Sequence, residues 1–324
     1  MSRRITSFNP STNIIDDLNN RSLLRTIIVT DQIINAVKIF SQDGSNTGAV
    51  SIVGPYGSGK STTTLFLYHY LCNSLTKNLK NEIKSQKILK SDNSYRNNEF
   101  KVIVGQKVSL QKSLCKTFSI KSNIVDHIKN NYIEKRKRLV IIIDEFGKYL
   151  EYASDNPKDG DVYILQELAE LATRNSDLFK LITVRHQSIL GYFSSLKGSY
   201  LNEWKKIQGR FYEIVHSNTI EDTITLIKPY IETNNNARYV PSKAILGYIR
   251  DNEAIGRVTQ SSAFLKPYPF HPFSILILVS AYKRFAQNER SVFSFLNTND
   301  RYGINYFISN DENIYRISDF YDYI

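Results

Sequence analysis

The amino-acid sequence predicts an α/β fold, in which helices flank a five-stranded parallel sheet and a mostly helical domain follows. Five apolar segments alternate with segments whose apolar residues recur at helical spacing. This alternation favours right-handed crossovers within a parallel sheet. The segment Leu139–Ile143 has no polar residue, which is typical of a central strand covered on both faces. After about residue 218, helical spacing replaces the alternation.

The predicted strands follow one another along the first two thirds of the chain. The first is a short apolar run that ends at a glycine-rich loop, and the third is the fully apolar run. We predict strands at Ala49–Val53, Lys101–Val104, Leu139–Ile143, Phe179–Val184 and Phe211–His216. Helices fill the intervals, because apolar residues recur there every three or four positions. The first of these helices is predicted at Ser61–Leu75.

The same pattern divides the chain into three parts. Residues 1–45 lead into the core, residues 46–218 form the sheet domain, and residues 219–324 form a mostly helical, lid-like domain. The last ten residues, YRISDFYDYI, are still aromatic and apolar. We therefore expect that the chain is cut from a longer protein, with a docked carboxyl terminus as the alternative.

Composition excludes some classes of protein. The 324 residues are 41% hydrophobic, yet they contain no run of about 18 apolar residues, which a membrane-spanning helix requires. The first residues lack the apolar stretch of a secretion signal. Cys72 and Cys115 fit no metal-ligand spacing and are predicted to be buried thiols. We therefore expect a cytoplasmic protein with no membrane contact.

The formal net charge is +11 and the sequence pI is near 9.4. Such an excess favours contact with DNA or another polyanion. The basic residues are spread along the chain, and the tightest cluster is Glu134–Arg138. Because this cluster directly precedes a predicted strand, a solvated helix end is the alternative interpretation.

The glycine-rich loop joins the first predicted strand to the first helix. Its sequence GPYGSGKS fits the pattern G-x-x-x-x-G-K-[ST] in the strand–loop–helix context that a phosphate-binding loop (P-loop) requires. Gly57 and Gly59 permit backbone angles that turn N–H groups toward phosphate oxygens. Lys60 would contact the β- and γ-phosphates, and Ser61 would ligate Mg²⁺. The predicted nucleotide-binding residues are Gly54, Pro55, Tyr56, Gly57, Ser58, Gly59, Lys60, Ser61 and Thr62.

Two acidic residues follow the fully apolar strand. Asp144 is expected at the carboxyl end of the sheet, where ligands bind in such folds, and would hold Mg²⁺ through water. Glu145 would orient and polarise the water that attacks the γ-phosphate. This pair favours ATP hydrolysis over phosphate transfer by a P-loop kinase. Since no N-K-x-D motif occurs where GTPases carry one, we expect ATP rather than GTP.

These residues resemble AAA+ and related ATPases, in which an extra strand separates the two Walker strands. GPYGSGKST is similar to a Walker A motif, and VIIIDE is similar to a Walker B motif. The resemblance implies a P-loop sheet with the strand order 5-1-4-3-2, and ATP and Mg²⁺ as cofactors. It also implies a polar sensor at the end of the fourth strand, for which the candidates are Thr183, Arg185 and His186. An arginine there is similar to the signalling (STAND) ATPases, whereas a threonine is more similar to AAA+ proteins.

Further arginines acquire candidate roles from the same resemblance. The segment QGRF resembles one that supplies an arginine finger to a neighbouring subunit, which implies that Arg210 acts across an oligomer interface. An exposed arginine before a strand is the alternative. In the lid, Arg257 and Arg290 are candidates for a second sensor, and His271 is expected to be structural.

Six segments together resemble the amino-terminal region of large bacterial ATPases that occur beside antiphage genes. They are GPYGSGKS, DEFGKYLEY, LQELAELATRNS, HQSILGYF, QGRFYEI and HPFSILIL with AQNERSVFSFL. The resemblance implies an ATPase motor or regulatory subunit that acts on DNA or on a protein partner, as a homo-oligomer or with a separate effector. The alternative is a switch that holds nucleotide, hydrolyses it slowly and recruits an effector.

Overall fold

The computed structural model describes residues 14–41, 47–85, 98–157, 161–192, 199–217, 222, 225–228, 241–251, 267–285, 295, 301, 303–309 and 314–323. The strands are β1 (Ala49–Val53), β2 (Asn98–Val104), β3 (Arg138–Asp144), β4 (Phe179–Arg185) and β5 (Tyr212–Val215). The helices of the sheet domain and the segment before it are α1 (Ile14–Asp17), α2 (Arg21–Leu24), α3 (Asp31–Ser41), α4 (Lys60–Leu71), α5 (Lys77–Ser85), α6 (Leu110–Phe118), α7 (Ile124–Ile128), α8 (Gly147–Asp155), α9 (Asp161–Arg174), α10 (Ile189–Tyr192) and α11 (Ser199–Gln208). A π-helical turn, Lys129–Ile133, continues α7. The helices that follow are α12 (Lys243–Asp251), α13 (Pro272–Phe285), α14 (Ile304–Ser309) and α15 (Ile317–Tyr323).

The five strands form one parallel sheet in the order β2-β3-β4-β1-β5. Counted from the β5 side, this order is 5-1-4-3-2, so the predicted fold class is confirmed. Because all strands run the same way, their ends gather at two edges. We call them the carboxyl edge, where strands end, and the amino edge, where strands begin. The glycine loop leaves β1 at the carboxyl edge.

Side chains alternate between the two faces of the sheet, as the two-residue period of a strand requires. Even-numbered strand residues such as Val50, Ile142 and Ile182 pack with α1 to α5. Odd-numbered residues such as Ile141 and Leu181 pack with α6 to α11. The central strands are therefore buried on both faces, which explains why the third predicted strand has no polar residue.

Helix α4 is shorter than its predicted counterpart and ends at Leu71 rather than Leu75. Asn73 adopts a left-handed φ of 55°. Its N–H donates to the Tyr70 carbonyl, and the Ser74 N–H donates to the His69 carbonyl. These two bonds satisfy the last carbonyl groups of the helix as in a Schellman motif, so the helix stops there although Leu75 is apolar.

The described residues beyond position 218 are mostly helical and pack around a separate apolar cluster. Its buried members include Ile227, Phe270, Ile275, Phe295 and Tyr315. Because this cluster lies apart from the two that cover the sheet, it is compatible with a boundary near residue 218. That boundary stays a prediction.

Two other predictions concern membrane contact and cysteines. In the described part of the chain, every helix is too short or too polar to cross a bilayer. Cys72 and Cys115 are free thiols. They are half-buried rather than fully buried as predicted; Cys72 directly follows the last residue of α4, and Cys115 lies in the last turn of α6.

Candidate nucleotide site

The glycine loop turns sharply between β1 and α4. Gly57 and Gly59 have φ angles of 71° and 85°, in the left-handed region that glycine enters without steric cost. Gly59 precedes the first turn of α4, and no side chain caps that turn. The first N–H groups of the helix and its positive dipole end therefore point into the loop, which is a favourable environment for an anion.

Lys60 lies against this loop and is 6% exposed. Its Nζ donates a hydrogen bond of 2.6 Å to the Pro55 carbonyl and lies 5.8 Å from the centre of the Tyr56 ring. Burial lowers the pKa of the Lys60 ammonium to about 8, and the nearby carboxylate of Asp144 opposes part of that shift. A buried ammonium beside free backbone donors is suited to a phosphate group.

Asp144 is the last residue of β3 and therefore lies at the carboxyl edge. Burial raises the pKa of its carboxyl group, while the Glu145 N–H and the charge of Lys60 oppose the rise. That N–H donates to Asp144 Oδ1 over 2.8 Å. Carboxylate and hydroxyl oxygens are ligands that Mg²⁺ accepts, so Asp144 and the half-buried Ser61 at the start of α4 fit such an ion.

Glu145 has a φ of 48°, a left-handed conformation that costs free energy in a residue with a Cβ atom. Its neighbours hold it in place. The Phe146 N–H donates to the Val184 carbonyl over 2.8 Å. A Cβ atom on Gly105 would lie 2.1 Å from the Glu145 carbonyl oxygen, so only glycine permits this approach. The Glu145 carboxylate forms an ion pair with Lys148, the second residue of α8.

His186 follows β4 and faces the glycine loop. Its ring stacks on the Tyr56 ring, with centroids 3.6 Å apart and an interplanar angle of 27°. Burial, and then the charge of Lys60, lower the pKa of His186 to about 4. Its buried Nδ1 has no hydrogen-bond partner among the described residues. A neutral imidazole is thus placed beside Lys60.

The other two sensor candidates, Thr183 and Arg185, contact residues of other strands. Thr183 is buried within β4, and its hydroxyl is 2.7 Å from that of Ser51 on β1. Arg185 is fully buried, and its Nη2 pairs with Glu213 Oε1 at 2.5 Å, across β1. Its Nε and Nη1 have no partner among the described residues. This guanidinium is buried and pairs with Glu213. The catalytic role of Arg185 at the phosphate stays a prediction.

Arg210 lies at the amino edge of the sheet. It precedes β5, whose first residue Tyr212 pairs with Val50 near the start of β1. Its Nη2 pairs with Glu170 Oε1 on α9 at 2.7 Å, and its side chain is 33% exposed. Within its own chain Arg210 is therefore far from the glycine loop, and its predicted action on a neighbouring subunit stays a prediction.

In the lid, the predicted second-sensor arginines Arg257 and Arg290 lie outside the described residues. His271 is described and has a structural role. Its Nδ1 accepts a hydrogen bond of 3.2 Å from the Phe273 N–H at the start of α13. The acceptor satisfies an amide of the first turn, as helix caps do.

The structure adds three residues that sequence reasoning missed. Lys148 contacts Glu145, and Glu213 contacts Arg185. His216 lies next to the loop: its backbone N–H donates to the Val53 carbonyl, and its ring Nδ1 is 3.3 Å from the Ser58 carbonyl oxygen. Burial lowers the pKa of His216 to about 4. The i,i+3 spacing of Lys148 is a detectable signal, whereas Glu213 requires knowledge of the strand order.

No protein-family model and no curated protein matches the chain. Among solved structures, the Aeropyrum pernix ORC2 protein in its ADPNP–ADP complexes is similar, with 12% identity and a TM-score of 0.35 over 80% of this chain and 64% of that chain. Its ADP form has 11% identity and a TM-score of 0.37, with 82% and 67% covered. Hsp104 in a closed state with ATPγS and FITC casein has 14% identity and a TM-score of 0.39, with 86% and 41% covered.

This chain thus spans about two thirds of the ORC2 chain and about two fifths of the Hsp104 chain. With TM-scores below 0.4, these likenesses carry no argument about activity. The strand order and the glycine loop of this chain indicate a P-loop fold.

Proposed function

We propose that the chain binds ATP with Mg²⁺ at the carboxyl edge and hydrolyses it to ADP and phosphate. One observation carries the proposal: the buried Lys60 and the half-buried Asp144 come together beside the free first turn of α4. Burial of charged groups destabilises a fold unless they are compensated. Convergence at the mouth of a glycine loop indicates a functional site rather than a structural ion pair.

Each residue has a defined task in this proposal. The backbone N–H groups of residues 57 to 61 would bind the β-phosphate, and Lys60 would bind the β- and γ-phosphates. The hydroxyl of Ser61 and, through water, the carboxylate of Asp144 would hold Mg²⁺. When bound, this ion would neutralise charge that develops on the phosphate oxygens. Glu145 would accept a proton from the attacking water and orient it.

The direct test is phosphate release from ATP by the purified chain, with Mg²⁺ and with EDTA. We expect hydrolysis that requires the metal and that Asp144→Asn abolishes. Asp126→Asn, the same exchange at an exposed position on α7, is the control. Metal-independent hydrolysis, or full activity of Asp144→Asn, would refute the proposal.

A second candidate is the slow nucleotide-bound switch. The observation that favours it is the ion pair between Glu145 and Lys148. Since Lys148 engages Oε2 of Glu145, any orientation of a water by this carboxylate competes with the ion pair. We expect Lys148→Ala to increase turnover several-fold if the pair restrains hydrolysis. An unchanged or lower rate would argue against the switch.

The biological setting belongs to the proposal as well. The six segments quoted above support a motor or regulatory subunit of a bacterial antiphage system, acting as a homo-oligomer or with an effector protein. Protection of bacteria against phage by the wild-type gene, and its loss with Lys60→Met, would support this setting. Equal protection by both genes would exclude nucleotide binding as its basis.

A further inference from the structure

The positive charge of the chain is concentrated in one segment that links β2 to β3. Residues 105–138, which we call the basic segment, carry nine basic and two acidic residues, a net charge of +7 out of +11 for the whole chain. They make up about a tenth of the sequence. The basic residues are Lys107, Lys112, Lys116, Lys121, Lys129, Lys135, Arg136, Lys137 and Arg138. Sequence reasoning treated the charge as spread out, because the lysines are separated along the chain.

The fold of this segment turns the charges outward. Apolar residues of α6, α7 and the π-helical turn are buried against the sheet; they are Leu110, Leu114, Ile124, Ile128 and Tyr132. Eight basic residues are exposed, and they are Lys107, Lys112, Lys116, Lys121, Lys129, Lys135, Arg136 and Lys137. Lys112 and Lys116 lie one turn apart on α6 and therefore share a face.

Most basic residues of the segment have no acidic residue paired with them in the described part of the chain. Lys107 pairs with Asp155 at 2.9 Å, but Lys112, Lys116, Lys121 and Lys129 form no salt bridge within the described part of the chain. Lys135 donates to the neutral side chain of Asn131. The segment contains the acids Asp126 and Glu134, and the adjacent strand and helix contribute Glu99, Asp161 and Glu167.

Two of the acids from adjacent elements are already engaged. Glu99 pairs with Lys101 at 3.1 Å. Asp161 is buried and accepts hydrogen bonds from the Ser109 hydroxyl and the Leu110 N–H at the start of α6. The exposed surface of the basic segment therefore keeps a strong positive charge.

We propose that the basic segment is a binding surface for the phosphate backbone of duplex DNA. Exposed lysines bind phosphates as point charges, release counterions and read no sequence. Single-stranded nucleic acid binds through exposed aromatic rings, but Tyr132 is buried and Phe118 is half-buried. An anionic membrane requires an exposed apolar face, and Val108 is the one exposed large hydrophobic residue among residues 105–138, all of which are described.

This surface is attached to the nucleotide site at one end. The N–H of Gly105, the first residue of the segment, donates to the Asp144 carbonyl over 2.7 Å. The other end, Arg138, begins the strand that carries Asp144. DNA bound to the segment would therefore contact an element that is continuous with the proposed hydrolytic residues. The DNA binding itself does not depend on the proposed ATPase activity.

The test is fluorescence anisotropy of a labelled duplex of about 25 base pairs, titrated with the full chain between about 50 and about 200 mM salt. The test variant combines Lys112→Gln, Lys116→Gln and Lys121→Gln. The control combines Lys77→Gln, Lys80→Gln and Lys84→Gln on α5, which packs on the opposite face of the sheet. Both variants lose the same net charge, and thermal melts establish that both are folded.

We expect the test variant to bind at least tenfold more weakly, and its slope of log K against log salt to fall by about 2 to 3, because three phosphate contacts are lost. The control should bind within about threefold of the wild type. A second triple, Lys129→Gln, Lys135→Gln and Arg136→Gln, should behave like the test variant and replaces it should the first fail to fold.

Three results would overturn the proposal. The first is an equal loss of affinity in the test and control variants, because only net charge would then matter. The second is tighter binding to a single strand or to anionic phosphatidylserine vesicles than to the duplex. The third is the absence of duplex binding by the wild type at low salt. Since none of these assays contains ATP, their failure would leave the proposed hydrolysis untouched.

Discussion

The two edges of the sheet each bury a lysine, but only one edge surrounds its lysine with phosphate-binding groups. Burial lowers the pKa of Lys60 at the carboxyl edge and of Lys180 at the amino edge to about 8. Lys60 meets a left-handed glycine loop, a free helix start and Asp144. The Nζ of Lys180 lies 5.3 Å from the centre of the Phe40 ring, a cation–π contact. A shifted pKa alone therefore does not define a site; convergent donors do.

The two edges also differ in how they hold an arginine. Arg185, near the carboxyl edge, is fully buried with Glu213, whereas Arg210, at the amino edge, pairs with Glu170 in partial contact with solvent. A buried pair loses much when one partner is removed, because the remaining charge stays out of water. A pair in contact with solvent loses little. The same substitution in each ion pair should therefore cost different amounts of stability at the two edges.

The largest effect is expected from Glu145→Gln. Removal of the carboxylate should slow ATP hydrolysis by roughly 10² to 10⁴-fold, because proton transfer from the attacking water loses its acceptor. ATP affinity should stay close to that of the wild type. The control is Glu151→Gln, which changes an exposed glutamate on α8 and should hydrolyse ATP at the wild-type rate. Equal rates for Glu145→Gln and the wild type would remove Glu145 as the base.

The next effect separates the two ion pairs by stability. Glu213→Gln should lower the free energy of unfolding by roughly 3 kcal/mol, because the buried charge of Arg185 loses its opposite charge. Glu170→Gln should cost about 1 kcal/mol or less, because Arg210 gains water. Urea denaturation measures both. Similar losses for the two variants would contradict the contrast between the edges.

A smaller effect is expected from pH. Because the pKa of Lys60 is lowered to about 8, its ammonium loses a proton as pH rises through that value, and the attraction for phosphate is lost. ATP affinity should fall about tenfold between about pH 7 and about pH 9. Calorimetry near pH 8 in two buffers with different ionisation heats should detect proton uptake on binding. Lys180→Met should keep the same dependence; a flat profile would exclude Lys60 as the titrating group.

Local sequence was sufficient for much of the fold. The apolar run Leu139–Ile143 predicted a buried strand, and the loop at Gly54–Ser61 predicted the strand–loop–helix unit. The predicted ends of the two outer strands of the sheet, β2 and β5, were less accurate. The edge strand β2 begins at Asn98, three residues before the prediction. Asn98 and Glu99 are polar and only half-buried or exposed, so they carry no apolar strand signal. Strand β5 is one residue shorter than predicted at each end; at its start, the Phe211 N–H donates to the Gln208 carbonyl in the preceding turn instead of joining the strand.

The site was predicted less completely than the fold, because several of its contacts join distant strands. Arg185 and Glu213 are 28 residues apart and meet across β1, which no local pattern encodes. The stacking of His186 on Tyr56 has the same origin. In addition, the left-handed Glu145 lies against Gly105, which directly follows β2 and is distant in sequence. Local residue types identified the loop and the acids, whereas the strand order determined their partners.

The most direct measurement is calorimetric titration of ATP with Mg²⁺ into the wild type, Lys60→Met and Lys180→Met. Methionine keeps much of the apolar volume of each lysine and removes its charge. We expect Lys60→Met to bind ATP roughly 100-fold more weakly, since a charge-assisted bond contributes about 3 kcal/mol, and Lys180→Met to bind like the wild type. Equal affinity for all three proteins would contradict the assignment of the nucleotide site to the carboxyl edge.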